Sequence, residues 1–282
     1  LNEVTPEGLF GIVSPLLRAW SLVGQKKVSE ALKILDRPTK QNTIRIMYST
    51  HSALISDFLG RSEEAKKKYL KIQDDQSQLS LRTVQLLGSL YERTGEKNKA
   101  RKLYEDYLLS YPDTQLLDLP IKRIKSEDNV ILRSIKVADG AAEVLFGISS
   151  LLRLQEDPET PLMIGRLAIY LKPNFPIMQI LLGDILETAN RFEVALEVYQ
   201  SIPDDTSFSW PAKLRIASIL NRIKRTEESI KHLIAMGKDR PKDPGPLINL
   251  GDILRGHERF REAVNAYDKA LERIKLLKTR HW

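Results

Sequence analysis

The sequence predicts an all-α solenoid built from stacked helix-turn-helix repeats. Three observations lead to this prediction: a segment that recurs after two periods of 34 residues, small residues at fixed points of each period, and short polar turns between apolar stretches. The recurring segment reads LGDIL and occupies Leu182–Leu186 and again Leu250–Leu254. Self-similarity at such a period is typical of architectures in which each repeat is one helical hairpin.

This register divides most of the chain into seven repeats. They begin near Ile12, Ile46, Leu81, Ala142, Pro176, Trp210 and Pro244. Six of them have glycine or alanine at the eighth position, namely Ala19, Ala53, Gly88, Gly183, Ala217 and Gly251. Two helices of a hairpin pack closely only if the side chain at their crossing is small. In the fourth repeat Pro161 replaces an alanine of the second helix, so we expect that helix to start late, near Pro161.

These residues resemble the tetratricopeptide repeat family, whose first helix carries Leu-Gly and an aromatic residue and whose second helix carries spaced alanines around an aromatic residue. The seventh repeat matches best, with Leu250, Gly251, Ala263, Tyr267 and Ala270. The resemblance implies a right-handed superhelical solenoid whose first helices line a concave groove. It also implies a protein that binds a protein or peptide partner in that groove.

The predicted organisation is an N-terminal stack of three repeats (1–112), a connector (113–139) and a C-terminal stack of four repeats (140–282). The connector fits no repeat and holds five basic and five acidic residues. We expect a short helix at Gln115–Lys125 and an irregular stretch at Val130–Val137. We interpret this segment as a link between the stacks, with a binding loop as the alternative. Trp282 is expected to open a further repeat of a longer array.

The composition excludes several classes of chemistry. The chain has no cysteine, and none of its four histidines is four residues from another, so no thiolate or His-x-x-x-His metal site is predicted. No phosphate-binding glycine loop and no nucleophile elbow occurs. We therefore predict no catalysis, no metal and no cofactor. Leu9–Leu17 is too short and too interrupted to span a membrane.

The predicted function is a non-enzymatic scaffold or adaptor that binds a peptide or partner helix. Groove-facing positions of the first helices carry both signs of charge, and the candidate partner-binding residues are Arg82, Gln85, Glu92, Arg153, Asp184, Glu187, Asn221, Asp252 and Arg255. We interpreted these polar side chains as recognition residues and not as packing residues. A repeat-type RNA binder is disfavoured, because Asp184, Glu187 and Asp252 lie where basic or aromatic residues would be needed. The net charge of +7 is interspersed along the chain and fits solvated helix faces, so no nucleic acid is expected.

Two further expectations concern context. Ala138–Glu143 and Tyr170–Pro173 are similar to the middle part of bacterial multi-repeat proteins with export signals. This resemblance favours the bacterial periplasm or a membrane-associated location over the cytoplasm, and a periplasmic or membrane-associated assembly factor is the alternative function. The apolar groove positions of the first repeat, Val13, Leu16 and Trp20, are expected to be covered by residues that precede the chain, with a partner site as the alternative.

Overall fold

The computed structural model describes residues 6–37, 39, 41–75, 79–112, 114–126, 136–155 and 157–278. Within these ranges the chain forms fifteen α-helices and no strand. They are α1 (Pro6–Gly24), α2 (Val28–Leu35), α3 (Asn42–Phe58), α4 (Ser62–Asp75), α5 (Leu81–Arg93), α6 (Lys97–Ser110), α7 (Asp118–Lys125), α8 (Val137–Leu152), α9 (Glu159–Leu171), α10 (Pro176–Thr188), α11 (Phe192–Gln200), α12 (Ser209–Arg222), α13 (Thr226–Asp239), α14 (Gly245–Gly256) and α15 (Phe260–Lys278). Fourteen of them form the seven predicted hairpins, so the predicted fold class is confirmed.

The hairpins close where a glycine of the first helix meets a tyrosine ring of the second. A Cβ atom added to Gly183 would lie 2.4 Å from the ring of Tyr199, and one added to Gly88 would lie 2.2 Å from the side chain of Tyr104. Gly251 faces Tyr267 in the same way, at 2.5 Å. No real side chain tolerates such a contact, so these positions require glycine because of packing and not because of backbone conformation.

The turns inside the hairpins each hold one residue in the left-handed region. Gly60 and Gly95 occupy it with φ of 73° and 80°. In four other hairpins a residue with a side chain does so, namely Lys26, Asn190, Lys224 and Glu258. The turn reverses the chain within three or four residues and satisfies the last carbonyls of the first helix, as when Arg61 donates its N–H to the carbonyl of Ser56 at 2.9 Å.

The second helix of the fourth repeat begins at Glu159, two residues before Pro161. The Asp157 carboxylate accepts the backbone N–H of Glu159 at 2.9 Å and the hydroxyl of Thr160 at 2.7 Å, which fixes the first turn. Proline is tolerated in that turn because its missing N–H would have no helical acceptor there. The late start expected at Pro161 is thus displaced to Glu159.

The chain divides into two compact units, unit 1 (Leu1–Met178) and unit 2 (Gln179–Trp282). The sequence placed the division at 113–139, but the structure places it inside α10, because α8 folds back onto α1 and α3. The predicted connector forms α7, whose Ile124 joins the core of the first three repeats together with Leu117 just before it. Of the expected irregular stretch Val130–Val137, residues 130–135 lie outside the described residues.

Candidate functional site

The groove of the first stack is filled by the chain itself. Val137 at the start of α8 lies beside Gly24 at the end of α1, and Gly140 lies against Trp20, so the two helices run antiparallel. A Cβ on Gly140 would be 2.2 Å from Cε2 of the Trp20 ring. Leu16 and Trp20 are fully buried. The groove positions of the first repeat are therefore covered by α8, and the expectation that residues preceding the chain cover them was wrong.

A buried ionic cluster joins α8 to its neighbours. The Glu143 carboxylate accepts hydrogen bonds from Arg82 on α5, one of them from Nε at 2.9 Å, and from the Lys172 ammonium at 3.0 Å. Burial alone would raise the pKa of Glu143, but the charges of Arg82 and Lys172 lower that pKa to about 2. The carboxylate is therefore ionised at neutral pH, and each partner is needed to offset its desolvation.

Trp20 also holds a buried histidine. Its indole Nε1 donates to Nδ1 of His51 at 3.1 Å, so Nδ1 is unprotonated. Burial lowers the pKa of His51 to about 4, although the negative charge of Glu143 acts in the opposite direction. His51 is a neutral acceptor of the core, a role that the sequence analysis did not foresee.

The candidate recognition residues of unit 1 have intramolecular partners or lie apart from the groove. Arg82 is bound to Glu143, and it also donates to Oε1 of Gln85 at 3.3 Å. Glu92 accepts the Tyr104 hydroxyl at 2.8 Å and two bonds from the guanidinium of Arg123 on α7. Arg153 is exposed at the end of α8. Partner binding by these residues stays a prediction, and their positions add no support to it.

Unit 2 presents an open face made by its first helices, α10 from Gln179 onward, α12 and α14; we call this face the unit 2 groove. A row of aliphatic side chains follows it at the same position of each repeat, namely Ile180, Leu214 and Ile248. None of the three is fully buried, and Ile248 is 37% exposed. The equivalent residue of the first repeat is Leu16, which is buried in the stack that α8 covers.

Carboxylates beside this row bind tyrosines of the same hairpins. The Tyr199 hydroxyl lies 2.7 Å from Oδ1 of Asp184 and 2.8 Å from Oε1 of Glu187, and the Tyr267 hydroxyl donates to Asp252 at 2.8 Å. Burial and the two carboxylates raise the pKa of Tyr199. The interpretation that these side chains serve recognition alone was wrong, because they also anchor the rings that cross the glycines.

Two clefts lie along the unit 2 groove. The first, of about 280 Å³, is lined by Asp184, Glu187, Thr188, Phe192, Arg215 and Arg222. The second, of about 390 Å³, is lined by Ser218, Asn221, Arg222, Asn249, Asp252, Ile253, Gly256 and His257. Both clefts combine carboxylate, guanidinium and amide groups, so the face can bind either sign of charge.

Several polar groups of this face bind one another. The Arg222 guanidinium lies over the Phe192 ring at 5.4 Å from its centroid, and Asn221 Oδ1 is 2.8 Å from His257 Nε2. Arg255 lies 3.7 Å from Asp252. Of the predicted residues, the structure thus brings Asp184 and Glu187 together at Tyr199 and pairs Asp252 with Arg255. Sequence reasoning missed Arg215 and Phe192.

The described residues contain no group of three histidine, aspartate or glutamate side chains that would hold a metal ion. In the same ranges no helix combines the length and the apolar character that crossing a bilayer requires. The acidic, basic and tyrosine groups with strongly shifted pKa values belong to the internal pairs described above. The absence of catalysis stays a prediction.

Antiparallel hairpins stacked through glycine–tyrosine crossings, with an open face of first helices, define a helical-repeat protein of the interaction-scaffold class. Residues 85–114, the third hairpin with its connecting turn, match the family model described as "Tetratricopeptide repeat". The chain belongs to the tetratricopeptide repeat family. Proteins of this family bind protein or peptide partners and are generally non-catalytic.

No curated protein matches the chain. Among solved structures, MamA 41-end from Desulfovibrio magneticus RS-1 is 14% identical, with 69% of this chain and 94% of that chain covered and a TM-score of 0.40. YrrB, titled a TPR protein with an unusual peptide-binding site, is 15% identical, with 73% and 91% covered and a TM-score of 0.40. A tetratricopeptide repeat protein from Parabacteroides merdae ATCC 43184 is 12% identical, with 93% and 92% covered and a TM-score of 0.38.

Proposed function

We propose that this chain is a non-enzymatic scaffold that binds a peptide or a helix of a partner protein along the unit 2 groove. The observation that carries the proposal is the row Ile180, Leu214 and Ile248, which leaves aliphatic surface open at the same position of three successive repeats. Its internal contrast is Leu16, the equivalent residue in the stack that α8 covers. A ligand that lies along the row gains apolar contact from each repeat in turn.

The polar groups beside the row supply selectivity. Asp184 and Asp252 each accept one tyrosine hydroxyl, and their carboxylates retain further acceptor sites toward solvent. The exposed guanidiniums of Arg215 and Arg222 offer donors on the same face. A segment with aliphatic side chains and both signs of charge fits this face, and its binding is expected to weaken as salt is added.

The test uses two isoleucines of unit 2 that differ in their face but not in their exposure. Ile248, 37% exposed, lies in the unit 2 groove, and Ile234, 42% exposed, lies on the second helix α13. Ile248→Ser is expected to abolish retention of the proteins that the full chain captures from its source cells, whereas Ile234→Ser is expected to retain them. Equal melting temperatures would show that both variants are folded. Retention of the same proteins by Ile248→Ser would refute the proposal.

Charge reversal at Asp184 or Asp252 is a poorer test than the isoleucine pair. Either change removes the acceptor of a buried tyrosine hydroxyl and is expected to lower stability together with binding. A loss of capture would then have two explanations. Ile248 has no such internal role, so a loss of capture by its variant has one.

We propose the assembly factor of the bacterial periplasm or membrane surface as a second candidate. Its support is the resemblance of Ala138–Glu143 and Tyr170–Pro173 to proteins with export signals. It differs from the first proposal in location and not in binding chemistry. Fractionation of source cells that express the full-length gene with a C-terminal tag decides between them, and a purely cytoplasmic signal would refute the second candidate.

A further inference from the structure

The second helix of the fourth repeat carries an apolar stripe that faces solvent. Met163, Leu167 and Tyr170 follow one another at spacings of four and three residues on α9 and are 60%, 50% and 83% exposed. Such spacing places the three side chains on one face of the helix. We call these three residues the α9 stripe.

The other six repeats show that hairpin packing does not require this stripe. Positions equivalent to Met163 hold Lys33, Lys67, Lys102, Glu197, Lys231 and Asn265. Positions equivalent to Leu167 hold Arg37, Lys71, Asp106, Ser201, Ala235 and Lys269. Solvated side chains are the rule at both positions, so the fourth repeat alone exposes methionine and leucine there. A contiguous exposed apolar face of this kind marks an interaction site.

The spacing of the stripe fits a helix as its occupant. Together with Thr160, the residues at 163, 167 and 170 form the alternating three- and four-residue pattern with which helices pack side by side. An extended peptide has side chains at a period of two and does not match this pattern.

Charge excludes a second copy of α9 as that helix. Arg166 is exposed beside the stripe. An antiparallel copy would place Arg166 against Arg166, and a parallel copy would place it against Leu171, so neither arrangement offers a carboxylate. Two copies of three side chains would also bury less than the total of about 1,000 Å² that a specific interface needs. We propose that the α9 stripe docks an amphipathic helix of a partner protein that carries an acidic residue beside its apolar face.

The experiment uses the full chain and two stapled helical peptides the length of α9. Both have leucine at the stripe-facing positions, with glutamate flanking in one peptide and lysine in the other. Fluorescence anisotropy is expected to show binding of the glutamate peptide and binding of the lysine peptide about tenfold weaker or less. Arg166→Glu is expected to reverse this preference. The triple variant Met163→Gln, Leu167→Ser, Tyr170→Asn is expected to bind the glutamate peptide about tenfold more weakly or not at all.

A matched control removes the same kind of surface elsewhere. Val264 and Leu271 on α15 are 56% and 51% exposed, and the variant Val264→Ser, Leu271→Ser is expected to bind the peptide as the wild type does. The variant Ile248→Ser is also expected to bind it normally, which separates this proposal from the unit 2 groove.

Three results would overturn the proposal. The first is failure of both peptides to bind the wild type. The second is equal affinity of the glutamate peptide for the wild type and the triple variant. The third is a concentration-dependent dimer in sedimentation equilibrium that the triple variant lacks, because the stripe would then serve self-association. If the triple variant melts early, the Arg166→Glu preference decides alone.

Discussion

Replacement of Gly140 by alanine is expected to disturb the seat of α8 on α1. The new Cβ would lie 2.2 Å from Cε2 of Trp20, whereas ordinary van der Waals contacts of a Cβ begin at 3.4 Å. The indole cannot yield, because its Nε1 is bonded to His51 and its ring is buried. Helix α8 must therefore retreat by about 1 Å in a close-packed interior, and this movement lengthens the hydrogen bonds between Glu143 and Arg82.

The magnitude follows from two opposed effects. Overpacking costs about 1–3 kcal/mol, and the rigid ring places this site at the upper end. Alanine regains about 1 kcal/mol of helix propensity over glycine. With some loss at the Glu143 ion pairs, the net destabilisation is expected to be about 2–3 kcal/mol.

Gly147→Ala is the matched control on the same helix. Its Cβ would meet only the flexible Cε of Met47 at 3.3 Å, so this variant is expected to be neutral or about 1 kcal/mol more stable. Urea unfolding followed by circular dichroism and by tryptophan fluorescence measures both free energies of unfolding. Equal stability of the two variants would show that α8 does not pack on Trp20 as described.

Three other predictions follow from the internal contacts. Gly183→Leu and Gly251→Leu are each expected to lower the free energy of unfolding by about 1–3 kcal/mol or more, because leucine would overlap Tyr199 or Tyr267; unchanged thermal melting in both would contradict the crossing. Tyr199→Phe is expected to cost about 1.5–3 kcal/mol, since it removes a hydrogen bond to carboxylates, and a variant as stable as the wild type in urea would contradict that bond. Because burial lowers the pKa of His51 from 6.5 to about 4, the stability that its neutral form contributes is complete above pH 6.5 and is lost as the pH falls toward 4. Urea unfolding at intervals across this range is expected to show that loss in the wild type and much less of it in His51→Gln, and parallel pH profiles would contradict it.

The sequence was sufficient for the hairpins because their determinants are local. The glycine and tyrosine that cross are 16 residues apart in each of three repeats, and the period repeats this signal. The docking of α8 has no such signal, because Gly140 and Trp20 are 120 residues apart and lie in different repeats. The only trace was a pair of glycines, Gly140 and Gly147, outside the small position of the repeat.

The dual role of the groove carboxylates was within reach of the sequence. Asp184 precedes Tyr199 by 15 residues, and Asp252 precedes Tyr267 by the same number. A carboxylate at a fixed distance from the core tyrosine in two repeats indicates a hydrogen bond as readily as it indicates a ligand site. The buried state of Glu143 was not within reach, because it depends on Arg82 and Lys172, which come from two other helices.

The return of α8 to the first repeats sets an order of events during synthesis. In a simple repeat array each hairpin is covered by its neighbour, so the earliest repeats are complete while later ones are still being made. Here Leu16 and Trp20 remain uncovered until Gly140 has left the ribosome, and at typical elongation rates that delay is roughly 10 s. The nascent chain therefore carries an open apolar face for that time, and the stack that is made first is the one that matures late.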